Sequence, residues 1–370
     1  NEEFKFEIIS YSKEGNQMKK GGNGGKFKIH IEIEGESNED KNMMQICKWA
    51  IKDLNNGKYE AKIKFEEGRK YSICVQYNGI DILFSPFEIQ IFSKQRNYNE
   101  INQPILIFGS NGKENGQFQN PYGIAINSKG NIIICDNDND RIQIFDSKGN
   151  FLSTFGSNGN GNGQFQNPYG IAINSKGNII ISDQSNHRIQ IFDSEGNFLS
   201  KFGSNGNGNG QFSSPRAICI DKNDRIYVCD YCNNRIQIFD SKGTFISKFE
   251  SRKNRNGNGQ FDGPTGIAIN SKGIIFISNI ENHLIQVLNL QGVYISKIGS
   301  VGQFNYPRGI CVDQYDNILV CDYRNQRIQI FNSNREYITH FKVNTPTFIT
   351  INPKTQNILV CGNDHKVSIF

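Results

Sequence analysis

No apolar run in the 370 residues approaches the roughly 20 that a membrane-crossing helix needs. Nothing near the start resembles a signal peptide, and the first residue is Asn1 rather than Met, so a piece of a longer protein is expected. No window of useful length has helical periodicity. The five histidines, His30, His187, His283, His340 and His365, form no HxH or HExxH spacing, and no paired-carboxylate constellation stands out. These absences speak against a helical membrane protein, a helical bundle and a metal- or acid-base-dependent enzyme; no cofactor, metal or small-molecule substrate is expected. The stretch "GSNGNGNGQF" is Gly-rich but joins strand to strand, whereas a phosphate loop needs a following helix N-terminus.

Disulfides are not called for either, although there are nine cysteines. Cys135, Cys229, Cys321 and Cys361 share one repeat position with Ser182 and Ser278. Cys219 and Cys311 share another with Ala125, Ala172 and Ala268. They read as small buried residues. "CDYC" (Cys229, Cys232) lacks the second pair that zinc would need. A reducing, cytoplasmic setting is expected. The net charge of +5 is uneven. Residues 1–92 carry 14 Lys+Arg and 15 Asp+Glu, which leaves 27 of the 41 basic and 21 of the 36 acidic residues to the rest. That surplus permits an anionic partner without requiring one.

What the sequence does contain is a period. Phe118, Phe165, Phe212, Phe261 and Phe304 each follow a Gln at similar spacing. Between them, short Ile- and Phe-rich runs alternate with turns of Gly, Asn, Asp and Ser, four runs to a repeat. Four strands in about 40–45 residues, repeated, indicate propeller blades. Five complete blades start near Gly116, Gly163, Gly210, Gly259 and Gly302; a sixth, from Val343, supplies three strands. "ILIFG" (Ile105–Gly109) matches the fourth-strand endings and is expected to complete blade 6 and close the ring, since an open edge leaves backbone groups unpaired.

The stretch "GQFQNPYGIAINSKGNIIISDQSNHRIQIFDSEGNFLSKFG" resembles an NHL repeat, over residues 103–370. In its central phrase Asp183 ends one strand and Arg188 begins the next, close enough for a charge-assisted bond. The arrangement recurs as Asp136 with Arg141, Asp230 with Arg235, and Asp322 with Arg327. A ring of acids could bind metal, but a recurring pair reads better as a blade fastening. Blade 4 has Asn279 and Leu284 instead, and blade 6 a shortened turn, so these two blades are expected to be the loosest.

Residues 1–92 lack the period. Gly57-Lys58-Tyr59, Tyr71, Val75, Tyr77-Asn78-Gly79 and Ser85-Pro86-Phe87 resemble a filamin-type immunoglobulin-like repeat; the "MKKGGNGGK" and "ESNEDKNMM" stretches depart from it. The expected architecture is all-β: a filamin-type immunoglobulin-like β-sandwich (1–92), a polar linker (93–102) and a six-bladed β-propeller (103–370). That order resembles the C-terminal half of tripartite-motif proteins with NHL repeats (TRIM-NHL), whose RING, B-box and coiled-coil segments are not visible here. The resemblance implies that any ligase activity lies outside these residues.

The resemblance also implies that RNA or protein partners bind the face made by the blade starts and the turns after the motif Asp. On that face the variable positions after the blade-start proline are Tyr122, Tyr169, Arg216, Thr265, Arg308 and Thr347. After the motif Asp come Asn137, Gln184, Tyr231 and Tyr323-Arg324, and further along the turn Asp140, His187, Asn234, His283 and Gln326. Tyr and Arg together suit single-stranded nucleic acid, with bases stacking on rings and Arg meeting phosphate. The alternative is that the Tyr residues cover the channel mouth and the Arg residues are solvated. On residues alone these readings stand level, and the resemblance inclines to RNA through Tyr122, Tyr169, Arg216, Tyr231, Arg308, Tyr323 and Arg324. A protein-interaction platform, serving as substrate receptor for an upstream ubiquitin ligase module, uses the same face. The opposite face carries Lys129, Lys148, Lys176, Lys242 and Lys272, read as solubilising.

Overall fold

The structure is a computed structural model that describes the strands between residues 2 and 90, and residues 96–370 apart from 102, 251–258 and 300–301. The chain divides into two compact units, Asn1–Arg96 and Asn97–Phe370. The first contains two antiparallel sheets. One is ordered Glu2–Ile9, Lys58–Phe65, Trp49–Asp53. In the other, Lys70–Tyr77 pairs with Phe27–Ile33, Ile80–Asp81 and Phe87–Gln90. The stretches 18–26 and 36–44, with Gly57, Asn78, Gly79, Ser85 and Pro86, lie outside the described residues.

In the second unit each apolar run becomes a strand of a propeller blade. In blade 2, Pro168–Ile173, Ile179–Asp183, Arg188–Phe192 and Phe198–Phe202 pair in that order, all antiparallel. Blades 1, 3, 4 and 5 repeat this from Pro121, Pro215, Pro264 and Pro307. Blade 6 takes Pro346–Ile351, Ile358–Gly362 and Lys366–Ile369, and its fourth strand is Leu106–Phe108. Innermost strands of successive blades pack side by side, Pro346–Ile351 against Pro121–Ile126 included, so the ring closes.

Aromatic rings fill the joints between blades. Phe155 on the outer strand of blade 1 meets Phe165 and Phe192 of blade 2, with ring centroids 6.4 and 5.0 Å away. Phe202, Phe212 and Phe239 repeat the trio one joint on, and Phe108, Phe118 and Phe145 form it where the ring closes. Each trio rests on a turn glycine. Gly196 has φ +89°, and a Cβ there would sit 2.5 Å from the Phe155 ring. Only glycine supplies both that dihedral and that clearance.

The Asp–Arg pairs lie beside these joints. Asp183 is fully buried and receives Arg188 Nε at 2.7 Å, Gln190 Nε2 at 3.1 Å and the Gln166 backbone N–H at 2.7 Å. The sequence reading expects a fastening within the blade, and the arginines reach further than that. Arg188 also donates to the carbonyls of Asn160, Gly161 and Gln164, in the loop that enters the blade. Arg235 pairs with Asp230 at 2.7 Å and clamps the carbonyls of Asn207, Gly208 and Gln211 in the same way. Arg141 pairs with Asp136 at 2.8 Å and donates to the carbonyls of Glu114 and Gln117. Arg327 pairs with Asp322 at 2.8 Å and donates to the Gln303 carbonyl. Burial pushes the Asp136 and Asp183 carboxyls above their usual range against the pull of these donors. Blade 4 has no such pair. Asn279 Nδ2 donates to the Gln260 carbonyl at 2.7 Å, and its buried Oδ1 has no partner.

Not all of 93–102 behaves as a linker, because Tyr98 is apolar enough to bury. It is 4% exposed, packs with Phe341, Val343 and Phe370, and donates its hydroxyl to Asp313 Oδ2 at 2.6 Å.

Removing residues 103–110 leaves Lys366–Ile369 an open edge and strips Phe108 from its joint. We expect a sharp fall in Tm by calorimetry; an unchanged Tm would contradict closure by this strand. In blade 4, Asn279→Asp alone buries an unpaired charge and should cost about 3–5 kcal/mol in urea denaturation. Adding Leu284→Arg should recover most of that loss. Simple additivity of the two changes would show that no ion pair forms.

Candidate functional site

The mouth of the channel is built by a bulge that recurs in every blade. Pro168 pairs with Asp183 and Ile171 with Ile181, so Tyr169 and Gly170 together face Ser182 alone. Such an insertion re-aims a side chain. The register shifts at the equivalent place in the other five blades. Ser182 Oγ ties the bulge down, 2.7 Å from both the Gly170 N–H and the Arg216 carbonyl of the next blade. Gly170 is required here because a Cβ would run into that carbonyl.

The seven residues singled out for partner binding, Tyr122, Tyr169, Arg216, Tyr231, Arg308, Tyr323 and Arg324, line one cavity of about 360 Å³. Asn137, Gln184, Asn167, Tyr306, Ile280 and Glu281 complete it. The repeat-motif residues stay out of the lining: Asp136 and Arg141, Asp183 and Arg188, Asp230 and Arg235, and Asp322 and Arg327 hold the blades and do not reach the cavity. Thr265 and Thr347 are fully buried as well. Thr347 Oγ1 donates to the Pro121 carbonyl, and Thr265 Oγ1 accepts from Arg216 Nη1 at 3.0 Å.

Arg216 and Arg308 are half-buried and Arg324 is exposed, and each guanidinium lies over a tyrosine ring. The Arg216 guanidinium lies 3.3 Å from the Tyr231 ring centroid and 5.2 Å from that of Tyr169. Arg308 lies 3.6 Å from Tyr323 and 5.8 Å from Tyr122, and Arg324 lies 3.8 Å from Tyr306. Tyr122 and Tyr169 stack on each other at 4.4 Å, and Phe348 meets Tyr169 edge-on at 5.5 Å. A continuous arc results, Tyr231–Arg216–Tyr169–Tyr122–Arg308–Tyr323. Such contacts contribute about 1–2 kcal/mol each when desolvated. Burial raises the phenol pKa of Tyr122 and Tyr231, so both rings stay neutral at physiological pH. Nε of Arg216 and Nε and Nη1 of Arg308 are buried without a hydrogen-bond partner. Each unanswered donor costs about 1–3 kcal/mol. The stacking roughly offsets that cost.

The later turn positions have a different task. Asp140, His187, Asn234, His283, Gln326 and His365 all have φ between 52° and 63°. His187 Nδ1 accepts the Ser214 N–H, His283 Nδ1 that of Tyr306, and His365 Nδ1 that of Asn120, each at 3.1 Å. Asp140 and Asn234 accept from Asn167 and Gly263 in the same way. These half-buried histidines join one blade to the next. Asn167, Tyr306, Ile280 and Glu281 escape the sequence reading. Asn167 and Tyr306 each precede a blade-start proline, and Ile280–Glu281 belong to the divergent blade 4. Burial raises the thiols of Cys135, Cys229, Cys321 and Cys361. Among the described residues no cluster of three His, Cys, Asp or Glu side chains could hold a metal ion, and no helix is long and apolar enough to cross a membrane.

A family model described as NHL repeat matches residues 118–145, 261–288 and 304–331, and one described as 6-bladed beta-propeller matches 174–248. The chain is 39% identical to protein lin-41 of Caenorhabditis elegans over 85 residues, 22% of this chain and 7% of that protein. It is 34% identical to E3 ubiquitin-protein ligase TRIM71 of Rattus norvegicus over 101 residues, 27% of this chain and 12% of that protein. The match thus spans a small part of either relative. A catalytically inactive virginiamycin B lyase from Staphylococcus aureus superposes with a TM-score of 0.53 at 14% identity, covering 92% of this chain and 99% of the lyase, a likeness of fold. The chain carries NHL repeats in a six-bladed β-propeller, and over part of that propeller it is similar to lin-41 and TRIM71.

Proposed function

We propose that the propeller mouth binds single-stranded or structured RNA, with Arg216, Arg308 and Arg324 meeting phosphate oxygens. One observation carries this reading. Three guanidinium groups lie over tyrosine rings around one cavity. Among the described residues none of the three has a carboxylate in ion-pair range. A phosphodiester supplies acceptors in the forked geometry that guanidinium favours. The basic surplus of the repeat region and the similarity to lin-41 and TRIM71 support it. In this reading the tyrosines act chiefly by holding the arginines, and no catalytic step is assigned to the propeller. We also infer that the first 92 residues form a filamin-type immunoglobulin-like sandwich, which their two antiparallel sheets support.

The test is fluorescence anisotropy with a randomised single-stranded RNA pool at two salt concentrations. Affinity should fall as salt rises, because phosphate contacts release counterions. The double variant Arg216→Ala with Arg308→Ala should weaken binding about tenfold or more. Binding indifferent to salt and to the variant would overturn the assignment and favour a protein-interaction platform on the same face.

A further inference from the structure

Blade 4 departs from its neighbours at positions that converge on the mouth. Gly263 precedes its first proline where the other blades carry Asn120, Asn167, Ser214, Tyr306 and Thr345. After Asn279 come Ile280, 4% exposed, and Glu281, exposed; both line the cavity. These departures are coupled. A Cβ at Gly263 would lie 2.7 Å from Ile280 Cγ2, 2.8 Å from Tyr231 Cε2 and 3.3 Å from Glu281 Cγ. The missing side chain makes room for the other three.

Tyr231 then acts in two directions. Its ring face holds Arg216 at 3.3 Å, and its hydroxyl donates to Glu281 Oε1 at 3.4 Å. One side chain thereby contacts a guanidinium and a carboxylate of the same cavity. Glu281 is the one acidic residue in the cavity lining, and among the described residues no Lys, Arg or His reaches ion-pair distance of it.

A carboxylate repels phosphate, so Glu281 lowers affinity for an RNA backbone. It can only accept hydrogen bonds. Its best match is a base edge with two adjacent N–H donors. Guanine offers N1–H and N2–H side by side on its Watson–Crick edge. Uracil offers one N–H between two carbonyls, and adenine and cytosine each set an amino group beside an acceptor nitrogen. We propose that Glu281 selects guanine, receiving N1–H and N2–H of a base seated on the blade-4 side while Arg216 and Arg308 hold phosphate. The proposal rests on the RNA reading and adds a specificity residue to it.

The experiment compares oligouridine with the same oligomer carrying one guanosine or one inosine, bound to the full chain and read by anisotropy. The wild type should prefer guanosine about tenfold, in line with other bidentate base contacts. Inosine, which lacks the N2 amino group, should recover only part of that preference. Glu281→Gln is an exposed isosteric change that leaves the fold intact, and it should bring the ratio to about one. The double variant Arg216→Ala with Arg308→Ala should weaken every oligomer alike. An unchanged ratio in Glu281→Gln, or no preference in the wild type, would overturn the assignment of Glu281 and leave the RNA reading standing. No binding to any oligomer at low salt would overturn both.

Discussion

The buried carboxylate at the end of the second strand, present in four of the blades, is the constraint on which the mouth depends. Asp183 binds the backbone N–H of Gln166, two residues before Pro168, and the Arg188 it orients clamps the carbonyls of the incoming loop. Arg141, Arg235 and Arg327 hold their own incoming loops through the same contact. The loop, the proline and the bulge after it are therefore held by one ionic contact. The residue carried by the bulge is the one that faces the channel. Removing one partner of a buried pair is far more damaging than never having the pair. That asymmetry explains how blade 4 can lack both Asp and Arg and still fold, with an amide in the carboxylate's place.

The mouth itself is an electrostatic device assembled from separate blades. Among the described residues neither Arg216 nor Arg308 pairs with an acid; each lies over aromatic faces. Cation–π contacts orient a guanidinium without neutralising its charge, as an ion pair would. The cost is a set of buried N–H groups without acceptors, tolerable because the stacking is of similar magnitude.

The propeller is legible in the sequence because strand period, turn residues and repeat spacing all point one way. The position of the mouth is legible because the residue after each blade-start proline varies against a near-constant background. What those residues do is less legible, since it depends on neighbours one to several blades away: Arg308 on Tyr122, Arg216 on Tyr169. The reach of Arg141, Arg188, Arg235 and Arg327 is half legible. Their acids stand five residues before them, but the carbonyls they clamp lie 24 or more residues upstream and carry no side-chain signature. The histidines mislead for a related reason. Their task is set by a left-handed backbone dihedral and an amide in the next blade, neither of which leaves a side-chain pattern. Gly263 and Glu281 are hidden because blade 4 reads as a degraded copy. Tyr98 is hidden because its surroundings in sequence are polar.

Closure by Leu106–Phe108 has a topological consequence. In an open stack of repeats, each unit holds only its neighbours, and a weak internal unit is where the stack comes apart in two. A ring has no such single point of failure, because opening one joint separates nothing until a second joint opens. Blade 4, without its ion pair, is braced from both directions around the circle. The freedom to vary its sequence, and to place Ile280 and Glu281 at the mouth, is thus secured by three residues in blade 6.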